Sequence, residues 1–300
     1  MDRLHSIEVF TAVADQGSFA KAARAMRLSP PAVTRAITAL EDRLGTRLFL
    51  RTTRSVRLTE AGTRFLADAQ RILHDIAEAE AAAAGAHATP RGVLHITAPV
   101  LFGRIYVAPI LRDFLDLHPA VTAEVLLVDR VVNVVEEGMD VAIRIGELAD
   151  SSLTAVRVGV VRRVVFASPD YLSRCGTPHH PSDLASHRVI SAGTSGTVTD
   201  WQFGEGAASF AARVKPLMFV NDLETGIAYA LRGWAIARTL SYQVAPHVAE
   251  GRLQIILEDF EPRPLPIHIV HPEGRRASAK LRSFVDLAVE RLRANPNIQG

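Results

Sequence analysis

The sequence predicts an α+β protein of several domains: a small helical N-terminal domain closed by a hairpin, one long linker helix, and a C-terminal α/β region. Three observations predict it. Residues 1–58 hold three short helical patterns separated by cap residues. Residues 59–88 contain no proline and space their apolar residues in heptads. Residues 91–300 alternate apolar strand-like runs with helical patterns, the sign of α/β layering. At 300 residues the chain is also longer than one hydrophobic core usually serves.

In the first domain, Leu4, Ile7, Phe10 and Ala14 recur at helical spacing and define a buried face. Gly17 ends that helix. Ser18 caps the next, which runs from Phe19 to Met26 and buries Phe19, Ala22, Ala23 and Met26. Arg27-Leu28 is a tight connection. Ser29 caps a third helix with Pro30 in its first turn, where a missing N–H costs nothing. Val33, Ile37, Leu40 and Leu44 are its buried stripe, and Gly45 stops it. Leu48-Phe49 and Val56-Arg57-Leu58 flank a polar basic stretch and read as a small hairpin. Thr59 caps the linker helix, whose seam is Phe65, Ala69, Ile72, Ile76, Ala79 and Ala83. Such a seam suits pairing with a second helix; packing on the chain's own core is the alternative. Pro90 closes the segment. Beyond it, strands are expected at 93–97, 121–128, 141–145, 164–167, 188–191, 235–237, 253–257 and 267–271. Helices are expected at 102–117, 130–137, 169–174, 223–231, 242–249 and 278–293. The alternation argues for mostly parallel sheets, and some two hundred residues suffice for two small lobes.

Composition excludes several classes. Apolar residues at 48% and charged residues at 22% rule out wholesale disorder. No apolar run is long enough for a membrane span. The opening MDRLHSIEVF lacks the apolar core of a signal peptide, and the single cysteine, Cys175, has no disulfide partner in the chain; both favour the cytoplasm. Residues 1–60 carry ten Lys/Arg against six Asp/Glu, whereas the remainder is slightly acidic, so the basic excess sits at one end, as in an appended nucleic-acid-binding arm.

No catalytic constellation assembles. There is no phosphate-binding G-x-x-x-x-G-K-[ST]. Gly204-Glu205-Gly206 opens a dinucleotide motif that fails at Ser209, and Gly193-Thr194-Ser195-Gly196 misses the nucleophile elbow by one position. His179-His180 lies between prolines without companion ligands. No catalytic residue, metal or cofactor is expected.

Binding chemistry does assemble. The short turn between the second and third helices makes a helix-turn-helix from Phe19 to Thr38, in which the later helix enters the major groove. With Val33, Ile37 and Leu40 inward, Pro31, Thr34, Arg35 and Thr38 face outward near the end that meets DNA, beside Ser29 and Pro30. A helix N-terminus attracts phosphate. Arg35 can pair with guanine, and the threonines can meet a thymine methyl or a phosphate. Arg51, Arg54 and Arg57 lie in the hairpin, where a wing would follow the backbone or minor groove.

The pattern Ser18-Phe19-x-x-Ala22-Ala23, Ser29-x-x-Ala32-Val33-Thr34-x-x-Ile37-x-x-Leu40-Glu41-x-x-Leu44-Gly45-x-x-Leu48-Phe49-x-Arg51-x-x-Arg54, then Leu58-Thr59-x-Ala61-Gly62, resembles the LysR-type transcriptional regulators. Gly92-Val93-Leu94-His95-Ile96, Asp129-Arg130, Glu137-Gly138-x-Asp140-Val141 through Gly146, Gly233-Trp234-Ala235-Ile236-Ala237 and Pro264-Leu265-Pro266-Ile267 look like that family's effector-binding part. Ala36 and Thr38 stand where many relatives carry Gln and Lys, and Leu50 where many carry Glu, so the recognition helix is less charged than usual. The resemblance implies a bacterial regulator with three parts. These are a winged helix-turn-helix domain at 1–58, a linker and dimerisation helix at 59–90, and at 91–300 a two-lobe effector-binding domain of the periplasmic-binding-protein (type 2) fold. Lobe I would take 91–161 and 267–300, and lobe II 162–266. It further implies promoter DNA, a small-molecule effector, RNA polymerase and a second copy of the chain, as a dimer of dimers, for partners.

Clefts between α/β lobes collect strand ends and helix N-termini. The stretches expected there supply Thr97, Pro99, Phe102, Arg144, Gly146, Thr194, Ser195, Asn221 and Thr225 as effector contacts. Helix N-termini favour a carboxylate, and the apolar run from Pro99 to Phe102 would also accept a phenolic or quinone-like molecule. A stand-alone solute carrier would need an export signal, and an enzyme a catalytic set.

Overall fold

The computed structural model describes residues 2–51, 56–83, 89–148, 153–192, 199–272 and 278–299. The chain divides into two compact units, one holding Met1–Pro90 and the other Arg91–Glu273 with Lys280–Gly300.

The N-terminal unit is built on capped helices. Asp2 accepts from the Leu4 N–H to start α1 (Arg3–Gln16), which ends at Gly17 in a left-handed conformation. The Ser18 hydroxyl accepts from the Lys21 N–H to start α2 (Phe19–Ala25), and Ser29 accepts from the Ala32 N–H to start α3 (Pro30–Leu44), which stops at Gly45. Val9, Phe10, Val13, Ala22, Ala23, Val33, Ile37 and Leu40 fuse into one core. The inward face of α1 is broader than the expected one, and Ile7 and Ala14 of the expected set pack against the core beside Phe10. Val9 and Val13 join Phe10 at full burial, while Leu4, Ile7 and Ala14 are half-buried. The helix meets α2, α3 and the linker helix together, so its contact face is broad. Leu44 is 41% exposed, not part of the stripe, because α3 overruns the core by a turn; Glu41 is buried instead.

That carboxylate ties α3 to the hairpin. Its Oε1 accepts from the Leu48 and Phe49 N–H groups at 2.9 and 3.1 Å, and Oε2 from Arg47 at 2.9 Å. β1 (Phe49–Arg51) and β2 (Val56–Leu58) pair antiparallel, with Phe49 opposite Leu58. Thr59 donates to the Arg47 carbonyl and accepts from the Gly62 N–H, capping α4 (Glu60–Ala83) as expected. Gly62 lets the helix touch the hairpin: a Cβ there would stand 2.1 Å from the Leu48 carbonyl oxygen. Gly62→Ala is therefore expected to destabilise this unit by about 1–3 kcal/mol, read as a lowered chemical-denaturation midpoint; an unchanged midpoint would contradict so close an approach. Along α4, Phe65 and Ala69 pack into the core, whereas Ile72 is 36% exposed, Ile76 half-buried and Ala79 exposed.

In the C-terminal unit, β3 (Gly92–Ala98) leads into one helix with a register slip. α5 (Val100–Phe102) passes through a π-turn at Gly103–Val107 into α6 (Ala108–Leu117), with the Ala108 N–H bonded to the Gly103 carbonyl five residues back. The slip comes just ahead of Pro109, which has no N–H to continue the ladder. β4 (Val121–Leu127), β5 (Val141–Ile145) and β6 (Leu153–Val161) complete the outward path of lobe I. Past Arg162 the chain builds lobe II from β7 (Arg163–Ala167), α7 (Pro169–Cys175), β8 (Ile190–Ala192), β9 (Thr199–Phe203), β10 (Phe210–Val214), β11 (Met218–Val220), α8 (Leu223–Leu231), β12 (Ala237–Leu240), α9 (Ser241–Ala249) and β13 (Gln254–Ile256). It returns to the lobe I sheet as β14 (Leu265–Pro272), two residues ahead of the boundary expected at 267, and then as α10 (Ala279–Arg293). The lobe I sheet has the order β4-β3-β5-β14-β6, and the largest lobe II sheet β12-β7-β13.

Two expectations are corrected. The sheets are not mostly parallel. Among the described strands only β3 with β4 and β5, and β8 with β11, run parallel, because β14 returns against β5 and β6 and the pairs of β7 and of β9 are antiparallel. The helix expected at 130–137 is a set of turns. Val132 and Val134 point inward while Val131 is 86% exposed, and Asn133 and Glu137 side chains accept local N–H groups, so β-branching and side-chain bonding outcompete helix. β6, β9, β10 and β11 are strands without a counterpart in the expected set. Among the described residues no helix is long and apolar enough to cross a membrane, and no cluster of His, Cys, Asp and Glu could hold a metal ion.

Candidate functional site

Two surfaces offer binding chemistry, one in each unit. In the first, α2 and α3 are joined by a turn in which Arg27 takes a left-handed conformation and the Leu28 N–H closes onto the Ala23 carbonyl at 2.8 Å. This tight reversal leaves the start of α3 projecting. Ser29, Pro30, Pro31, Thr34 and Arg35 are exposed and Thr38 is half-buried, over a base of Val33, Ala36, Ile37 and Leu40. The Thr34 hydroxyl donates to the Pro30 carbonyl at 3.1 Å, which leaves its methyl free to meet an apolar partner. Arg35 has no carboxylate partner among the described residues. On the hairpin, Arg57 is exposed opposite Leu50, and the Arg51 backbone lies opposite Val56; Arg54 falls outside the described residues.

The second surface is a cavity of about 490 Å³ between the lobes of the C-terminal unit. Lobe I contributes Pro99, residues 128–131, residues 143–145 and Leu265; lobe II contributes Arg163, Ser191, residues 199–202, Leu223 and the stretch from Arg238 to Gln243 apart from Ser241. Arg130 is held by Glu137 through bonds of 2.8 and 2.6 Å, and that guanidinium keeps the carboxyl down at about 2. Arg144 donates to the Val132 carbonyl, and burial lowers its pKa. Burial likewise lowers that of Arg163. Arg238 lies over the rings of Trp201 and Phe203 at 5.4 and 5.0 Å and donates to the Gln202 carbonyl at 2.5 Å. Burial, and secondly the neighbouring Arg163, bring its pKa down to about 10. Tyr242 is pushed upward by burial and stays a neutral phenol. Outside the lining, Arg104 of lobe I forms a two-bond ion pair with Glu224 of lobe II.

Residues 4–63 match the model of the bacterial regulatory helix-turn-helix protein, lysR family, and residues 87–293 match the LysR substrate binding domain. The chain belongs to the LysR family. It is thus a DNA-binding transcriptional regulator with a C-terminal domain for a small molecule. An HTH-type transcriptional repressor of Pseudomonas aeruginosa is 33% identical to this LysR-type regulator over 100% of the chain and 95% of its own length. The structure of CrgA from Neisseria meningitidis, a LysR-type transcriptional regulator, is 31% identical over 97% of this chain and 99% of its own, with a TM-score of 0.62. The full-length Vibrio cholerae virulence activator AphB superposes with a TM-score of 0.63 at 25% identity, over 96% and 99% of the two chains.

Of the effector contacts expected in this LysR-type regulator, Pro99 and Arg144 line the cavity. Thr97 and Phe102 are buried outside its lining, Phe102 in an aromatic cluster with Tyr106 and Tyr242. Gly146 turns away, bonding its N–H to the Pro266 carbonyl. Asn221 is exposed outside the lining, and the Thr225 hydroxyl is tied to Asp222, the α8 cap, at 2.8 Å. Thr194 and Ser195 fall outside the described residues. Arg163, Trp201, Arg238 and Gln243 were not among the expected contacts. One signal for Arg238 was available: a charged residue immediately after the apolar run Trp234-Ala235-Ile236-Ala237.

Proposed function

We propose that residues 1–58 bind promoter DNA, with Ser29, Pro30, Pro31, Thr34, Arg35 and Thr38 at the major groove and Arg51, Arg54 and Arg57 along the backbone or minor groove. The exposed α3 face, with an arginine free of any carboxylate partner, carries this reading. The linker helix at 59–90 pairs two chains, and two such dimers join through their C-terminal domains. A small molecule, whether carboxylate, phenol or quinone-like, occupies the cleft of the domain at 91–300. By favouring one lobe arrangement it changes DNA affinity or bending, without a covalent step and without enzyme activity. The protein works in the cytoplasm, with RNA polymerase as a further partner. The span of lining residues from both lobes supports the cleft reading.

The test is a gel shift on the intergenic DNA upstream of the protein's own gene, with a salt titration. Arg35→Ala is expected to weaken specific binding by about 1–3 kcal/mol and relax sequence preference. Arg57→Ala is expected to weaken all sequences alike and reduce the salt slope by about one. Wild-type shifts from both variants would sink the assignment.

A further inference from the structure

The interlobe cavity is lined by more positive than negative charge, and the excess is concentrated in two residues. Among the lining carboxylates, Asp129 accepts from the Val100 N–H at 3.0 Å and Asp200 lies 3.6 Å from Arg213. Among the lining arginines, Arg130 is neutralised by Glu137 and Arg144 leans on the Val132 carbonyl. Arg163 and Arg238 differ. They sit on adjacent antiparallel strands, Leu240 opposite Arg163 and Arg238 opposite Val165, so both side chains leave one face of the β12-β7-β13 sheet. The Arg163 side chain has no hydrogen-bond or ion-pair partner among the described residues. Arg238 gives one N–H to Gln202, and its Nε is buried with no partner. The acid nearest in influence, Glu261, is bound by Arg162 at 3.1 Å. Residues 193–198, which follow β8, contain only Gly, Thr, Ser and Val, so they bring no acid.

Two half-buried guanidiniums side by side repel each other, and the Nε of Arg238 is a buried donor left unsatisfied. An oxyanion placed between them would remove both penalties, and a carboxylate can accept from two arginines at once. The rest of the wall argues against a bare inorganic ion. Ile143, Ile145, Leu240 and Leu265 line a space of about 490 Å³, which is the size of an organic ligand site. Resting on the reading of this cleft as the effector site, we propose that the effector is an organic acid whose carboxylate lies between Arg163 and Arg238 and whose apolar body packs against Ile143, Leu240 and Leu265.

The test is a thermal shift of the full chain with sodium benzoate, sodium hexanoate, benzamide, hexanamide and inorganic phosphate, all at one ionic strength. The carboxylates are expected to raise Tm, and the amides and phosphate to leave it unchanged. Arg163→Gln and Arg238→Gln, each shown folded by circular dichroism, should weaken carboxylate binding by about thirtyfold or more. Arg163→Lys, which keeps the charge without the fork, should recover part of that loss. Amides or phosphate as effective as the acids, no shift from any carboxylate, or full binding by both Gln variants would overturn the proposal. Leu240→Trp, which fills the cavity, separates the two levels. If it abolishes amide binding, the cleft remains the ligand site and only the acid assignment falls. If all binding survives it, the cleft reading falls as well.

Discussion

Replacing Glu41 with alanine is expected to cost the N-terminal unit about 2–5 kcal/mol, because it strips the acceptor from two buried backbone N–H groups and leaves them without water. That is a large fraction of what a small domain has to lose. The side chain is 2% exposed and bonds Leu48, Phe49 and Arg47, so it holds the hairpin against α3. Both tryptophans, Trp201 and Trp234, lie in the C-terminal unit. Tryptophan fluorescence should therefore report an unchanged transition in urea, while far-UV circular dichroism gains an earlier one and DNA binding is lost. Glu41→Gln keeps a carbonyl acceptor and should recover most of the loss, since the Arg47 pair is largely solvated on the arginine side. Coincident, wild-type transitions for the alanine variant would show that the bonds to Leu48 and Phe49 contribute little.

The second large effect is expected from Ile72→Asp with Ile76→Asp. The linker helix spends its first turns on its own domain, through Phe65 and Ala69, and then presents Ile72 and Ala79 to solvent. Burying an isoleucine is worth about 1.5–3 kcal/mol, and in a two-fold interface every replaced residue acts twice. Placing four carboxylates in one paired seam should dissociate the assembly, which sedimentation of the double variant would record as a lower mass. An unchanged mass would mean that this stretch packs within its own chain.

What could be read in advance depended on the range of the interaction. Ser18, Ser29, Pro30, Gly45 and Thr59 act within a few residues of themselves, and the caps they form are where local chemistry puts them. The outward set on α3 followed from the same helical period. Glu41 escaped because a buried acid near the end of an amphipathic helix looks like a solvated one until the hairpin folds over it. The lobe II wall of the cleft escaped further, whereas Pro99 and Arg144 on the lobe I side were legible. Arg163 and Arg238 become neighbours only through the pairing of β7 with β12, a register with no local signature. Thr97 and Phe102 sit at the right strand end and helix start, but they face the core rather than the cleft. At 130–137 turns replace the expected helix because Asn133 and Glu137 bond neighbouring N–H groups with their side chains, a competition that helical periodicity does not register.

The strand order of lobe I also sets a timetable. β14 stands between β5 and β6, although it is the last strand to be made. Roughly 100 residues separate it from β6, so at ordinary rates of synthesis about 5–20 s pass while both neighbours wait with an open edge. Lobe II can form during that interval, since its strands pair only among themselves. Lobe I cannot, and a nascent chain halted before residue 265 is expected to expose two unpaired edges that invite aggregation or a chaperone. Limited proteolysis of stalled chains should then cut lobe I and spare lobe II; equal protection of both would show that the sheet closes without its inner strand.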